Sequence, residues 1–164
     1  MKRFAVLLAF AVTACDDPDV DQGLAPDASS VLSGDAVVAV PLDEPHPVVI
    51  ILMMVADPSG ARLEAPENVD VTVIPESALS EGGDGVRTGP FAFGLVPPAT
   101  YVVVGIVDVD ENFNPLVPEL AAATEGDLLG GHADVATGEF ISIRVEPSQV
   151  IGEVTVMFSQ AAGS

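Results

Sequence analysis

Phe91 to Val107 reads FAFGLVPPATYVVVGIV, and this stretch decides the fold class. Phe91, Phe93 and Leu95 alternate with other residues, the period-two signature of a strand with one buried face. Pro97 and Pro98 end that strand, because proline has no N–H to give to a hydrogen-bond ladder. Tyr101 starts the next run. Tyr101–Val109 is β-branched and nearly all apolar, as a central strand covered on both faces should be. Tyr101 is also the only tyrosine in the chain. Its ring is expected in the core and its hydroxyl on a backbone group, as in a tyrosine corner.

The same patterns recur on either side. Ala36–Val40 is a short β-prone run, and Val48–Val55 is a continuous apolar run between Pro47 and Asp57-Pro58. Val69, Val71 and Val73 alternate with Asp70 and Thr72. Ile141, Ile143 and Val145 alternate near the end, as do Val154, Val156 and Phe158. Proline, glycine and acidic loops separate these runs. The nearest approach to a helix is Glu119–Leu129, a turn or two interrupted by Gly126. About seven short strands in one domain, residues 34–160, predict an all-β antiparallel β-sandwich.

The FAFGLVPPATYVVVGIV stretch resembles the F-x-F-x-x-L-P-P-G-T-Y-x-V-x-V signature of transthyretin-like, carboxypeptidase-regulatory-type β-sandwich modules. Gly34 followed by Val37 and Val38 is similar to their first strand. The resemblance implies a prealbumin-like Greek key over most of residues 34–159, although only residues 91–107 carry the motif. Ala99 stands where that family usually has glycine. Some transthyretin-like proteins hydrolyse a purine-degradation intermediate, using histidines, an arginine and a tyrosine-containing C-terminus. This chain has two histidines and ends FSQAAGS, so that activity is not expected.

The chain begins MKRFAVLLAFAVTAC. Lys2 and Arg3 precede an apolar segment, Phe4–Val12, too short to span a bilayer as a helix. Val12-Thr13-Ala14-Cys15 resembles the lipobox of bacterial lipoproteins. The resemblance implies a signal peptide over residues 1–14, acylation of Cys15, and attachment to the cell envelope. An ordinary signal peptide with an incidental cysteine is the alternative. Asp16 follows Cys15, and that position influences which membrane retains a lipoprotein by rules that differ between lineages. The choice of inner or outer membrane therefore stays open. Residues 15–33 are acidic, small and proline-containing, and read as a lipidated cysteine on a disordered tether. Cys15 is the only cysteine, so no internal disulfide can hold the domain.

Charge narrows the partners. The chain carries 25 acidic residues, five basic ones and a net charge of −20. Without residues 1–14, three arginines (Arg62, Arg87 and Arg144) face those 25 acids, for a net charge of −22. Such a surface repels phosphate backbones and anionic lipid headgroups. Nucleic acid is excluded as a partner, and membrane attachment falls to the acyl chains.

The strongest candidate for chemistry is DVDENFNPLVPE, residues 108–119. Asp108, Asp110, Asn112, Asn114 and Glu119 fall at positions 1, 3, 5, 7 and 12, the oxygen-ligand spacing of calcium loops. Phe113 stands at position 6, where such loops need glycine, and a strand rather than a helix precedes the segment. Asp127 is a further candidate ligand from the second half of the excursion. The alternative is an acidic loop whose Asp and Asn residues make local turns. With no soft ligand nearby, calcium is expected over zinc or copper.

His46 and His132 read as loop residues, and Gly82-Gly83-Asp84-Gly85 as a turn without the lysine and helix that phosphate binding needs. No nucleophile constellation is present, and the chain has no tryptophan to stack against a sugar. The expectation is a non-enzymatic, lipid-anchored envelope module for binding or structure, with a structural calcium site. The alternative is an envelope adhesion or assembly component that pairs with other envelope proteins through a strand edge. A weaker third reading is a hydrolase using Asp127 and His132.

Overall fold

The computed structural model describes residues 29–55, 67–114 and 123–161. Cys15, most of the expected tether and Glu119 lie outside them. Among the described residues, nine strands form one sheet: β1 (Ser30–Val38), β2 (Val48–Met54), β3 (Glu67–Ile74), β4 (Ser80–Glu81), β5 (Arg87–Val96), β6 (Ala99–Val107), β7 (Leu128–Gly131), β8 (Ile143–Val145) and β9 (Val150–Ala161). The order is β3-β2-β6-β7-β9-β1-β5-β4, with β8 paired to β6 beside β7.

All-β architecture is as the alternation requires, but the arrangement differs from an antiparallel seven-stranded sandwich. One hydrogen-bonded path curls around the core, and it is mixed, because β1 runs parallel to β9. Side-chain period reports which face is buried and is blind to the direction of a neighbouring strand. All seven expected runs are strands, and β4 and β7 are additional. β4 is two residues long, and half of β7 is glycine, so neither carries an alternating apolar pattern. β1 begins at Ser30, so the expected domain start at Gly34 falls inside a paired strand.

The main core draws on both ends and the middle of the path. Leu32, Ala36 and Val38 of β1 meet Ile50 and Leu52 of β2, Phe91 and Phe93 of β5, Tyr101 and Val103 of β6, and Val156 and Phe158 of β9. Phe91 and Phe93 pack edge to face, with ring centroids 5.9 Å apart. Phe158 is fully buried over two glycines. A Cβ on Gly105 would lie 2.5 Å from its ring, and one on Gly130 2.6 Å. β2 is apolar on both faces: Val49 and Ile51 form a smaller cluster with Ile106 on the opposite side of the sheet. Its continuous apolar run therefore reflects two buried faces.

The central motif behaves as its residues dictate. β5 stops at Val96, immediately before the two prolines. The Tyr101 hydroxyl donates to the Pro97 carbonyl at 2.7 Å while the residue is 1% exposed. Burial pushes that hydroxyl's pKa up. β6 starts at Ala99, two residues before Tyr101. The left-handed residue of this connection is Leu95 (φ 57°) rather than Ala99, so alanine at the usual glycine position meets no conformational penalty.

Leu95 marks an irregularity that has a counterpart across β1. Opposite Ser30 to Leu32, β5 carries one residue too many, near Leu95. Opposite Leu32 to Gly34, β9 carries one too many, near Glu153 (φ 63°). These are β-bulges, and together they bend the sheet around the first half of β1. The second brings backbone very close: a Cβ on Gly34 would lie 1.7 Å from the Val154 carbonyl oxygen. Only glycine fits there. Gly34→Ala should therefore cost at least about 3 kcal/mol of stability, because two paired backbones would have to part. Gly94→Ala, with nothing within 4 Å of the new methyl, should stay within about 0.5 kcal/mol. Urea denaturation of the two variants tests the contrast.

Candidate metal centre

Strand register creates this site. β6 and β7 are antiparallel, and their last pair is Val107 with Leu128. The next residue outward on each strand is an aspartate, Asp108 on one and Asp127 on the other. Two carboxylates thus meet at one end of the sheet although they lie nineteen positions apart in sequence. Asp110 joins them: a carboxylate oxygen from each of Asp108, Asp110 and Asp127 lies within 4.8 Å of the others. Asp127 is fully buried, Asp108 is 6% exposed, and Asp110 is open to solvent.

Backbone donors hold the two buried carboxylates. Asp127 Oδ1 accepts from the Val109 N–H at 2.9 Å, and Oδ2 from the Thr124 N–H at 2.7 Å. Asp127 therefore ties both ends of the excursion between β6 and β7. Asp108 accepts from the Asn112 N–H at 3.1 Å and the Phe113 N–H at 3.2 Å, closing a tight turn. Glu111 takes the left-handed conformation in that turn (φ 58°). Phe113, at the glycine position of a calcium loop, packs against the outer cluster of Val49, Ile51 and Ile106. The loop is therefore anchored by an aromatic ring and turns at Glu111, unlike a helix-flanked calcium loop.

Negative charge is concentrated here. Burial raises the Asp108 pKa above the ordinary 3.8, and neighbouring Asp127 and Asp110 push the same way, against the two backbone N–H bonds. Asp110 and Asp127 also share one hydroxyl: Thr124 Oγ1 lies 3.1 Å from Asp110 Oδ2 and 3.1 Å from Asp127 Oδ2. A hydroxyl has a single proton, so it satisfies one carboxylate at a time. The Asn112 side-chain amide donates to Asp110 at 2.6 Å and to Thr124 Oγ1 at 3.3 Å. Carboxylate, hydroxyl and amide oxygens are the hard donors that Mg²⁺ and Ca²⁺ take.

Of the expected ligands, Asp108, Asp110 and Asp127 come together, with Asn112 against them. Asn114 is exposed beyond Phe113, and Glu119 lies outside the described residues. Sequence reasoning missed Thr124. Its signal was the Thr-x-x-Asp spacing to Asp127, across a turn with Gly126 at φ 108°.

The arrangement does not join Asp127 to His132. They flank opposite ends of β7, roughly 16 Å apart at strand rise. Both Asp127 oxygens are engaged, and His132 Nδ1 pairs with the Thr155 carbonyl at 3.0 Å. Comparison of the chain with protein-family models, curated proteins and solved structures finds no match.

Two outcomes follow from this geometry. Asp127→Ala orphans buried N–H groups and should cost about 2–4 kcal/mol in chemical denaturation, with Asp127→Asn losing less. The Asp108 pKa is raised in the folded state, so that state binds the extra proton and loses stability as pH rises through the window just above 3.8. Melting temperatures across that window should fall for the native chain, and fall less for Asp108→Asn.

Proposed function

We propose that this chain is a lipid-anchored binding or structural module of a bacterial cell envelope, non-enzymatic, with a structural divalent cation at Asp108, Asp110 and Asp127. The observation that carries the cation is the convergence of these three carboxylates, two of them buried, at one end of paired strands. Calcium is the cation of choice. It accepts six to eight oxygens in flexible geometry, and Thr124, Asn112 and water would complete the shell. Bound there, it would neutralise part of the local repulsion and pin the excursion between β6 and β7.

The location rests on MKRFAVLLAFAVTAC and on Cys15 as the acylated residue. The transthyretin-like reading rests on FAFGLVPPATYVVVGIV, and the Tyr101–Pro97 hydrogen bond supports it. A second reading, an adhesion or assembly component acting through a strand edge, draws on the position of β3 at one end of the sheet order.

Calorimetric titration of calcium into the chain from Asp16 onward, with magnesium as control, should give saturable, calcium-selective binding and a rise in melting temperature. The double variant Asp108→Ala, Asp110→Ala should abolish both. An undiminished response in that variant would put the cation elsewhere. For the anchor, Cys15→Ala should move the protein from the membrane fraction to the soluble fraction of expressing bacteria.

A further inference from the structure

β3 is the last strand of the hydrogen-bonded order, with β2 on one side. Among the described residues no strand pairs with its other side. It carries Val69 (38% exposed) and Val73 (56% exposed), with half-buried Val71 between them. An edge of this length, rich in β-branched residues, is a template for strand addition by another chain.

Two features blunt it. The β2–β3 register slips between Leu52 and Met53, which face Asp70 and Asn68 and leave Val69 as an extra residue. In addition, Asp70 Oδ1 accepts the Val71 N–H at 2.8 Å. Backbone groups of successive strand residues point to alternate sides. An amide held by Asp70 is not held by β2, so Val71 belongs to the set directed at the open edge. Asp70 occupies that donor and adds negative charge beside it. Asp70 is itself exposed, so packing does not account for its presence in a run of valines.

We propose that Asp70 is a guard residue that closes the β3 edge to strand addition by a second copy of this chain. A second copy is the relevant occupant because antiparallel edge-to-edge pairing is self-complementary. Net charge is a separate barrier: two copies at −20 each repel over long range, and salt screens that repulsion without touching the Asp70–Val71 bond. Asp70 is no part of the cation site, and a guarded β3 is not the open edge that the second functional reading needs.

The test is analytical ultracentrifugation of the full chain carrying Cys15→Ser, over a wide concentration range in low and high salt. Circular dichroism checks that each variant is folded. The Asp70 parent should stay monomeric in both salts. Asp70→Ala and Asp70→Thr should self-associate, at least tenfold more tightly than the parent, and more strongly in high salt. Asp70→Asn keeps an oxygen for the Val71 N–H and should stay monomeric. If the Ala variant does not fold, the Thr variant decides. Monomeric Ala and Thr variants in high salt, or a parent that associates as they do, would overturn the proposal. An Asn variant that associates like Ala would overturn the hydrogen-bonded guard.

Discussion

The seating of Phe158 on Gly105 and Gly130 is the contact on which the rest of the structure depends. Those glycines lie on β6 and β7, and Phe158 lies on β9, which pairs with β7. A ring that touches backbone on two strands draws three strands into one layer of the core. Burying a phenylalanine contributes on the order of 2–3 kcal/mol, and glycine at both positions lets the sheet approach the ring without a methyl between. Moving β7 away would undo more than packing. It would break the Val107–Leu128 pair, and with it the meeting of Asp108 and Asp127.

The carboxylate group is thus a product of the apolar core. Hydrophobic register sets two like charges side by side, and the burial of Asp108 outweighs the backbone N–H groups that favour its charged form. The site sits where a continuous sheet gives way to an excursion, and Phe113 clamps that excursion to the outer face of β2 and β6. Charge balance at this corner therefore bears on how firmly the loop is held against the sheet.

Much of this was legible in the residues. Alternation at Phe91–Phe93 and Val154–Phe158 marks strands because one face of each is buried. Val69–Val73 also forms a strand, but its alternating valines are exposed or half-buried. The paired prolines mark the end of β5, and Tyr101 makes its predicted backbone bond. β7 was not legible, because Gly130 and Gly131 read as loop when their neighbours are unknown. Phe158 covers the first of them, and a Cβ on the second would lie 2.3 Å from Phe140. The parallel β1–β9 pair was equally hidden, since no local pattern encodes strand direction. At the site, spacing located Asp108 and Asp110, and Asp127 was read as a further ligand from the second half of the excursion, while Thr124 needed the loop's path to be known. The meeting of Asp108 with Asp127 is set by strand register, which the twelve-position spacing of a calcium loop does not encode.

The parallel pairing of β1 with β9 bears on when the fold can form. Val31 pairs with Val150 and Val38 with Phe158, so the seam near the middle of the sheet joins segments more than a hundred residues apart. Neither the β3-β2-β6 part nor the β1-β5 part can be bridged through that seam until the chain beyond residue 150 is available. Loop-closure entropy must be met before the seam returns any stabilisation, which places this topology among slow folders. A chain emerging from the ribosome would therefore leave β1 without its parallel neighbour until the residues that form β9 had followed it out.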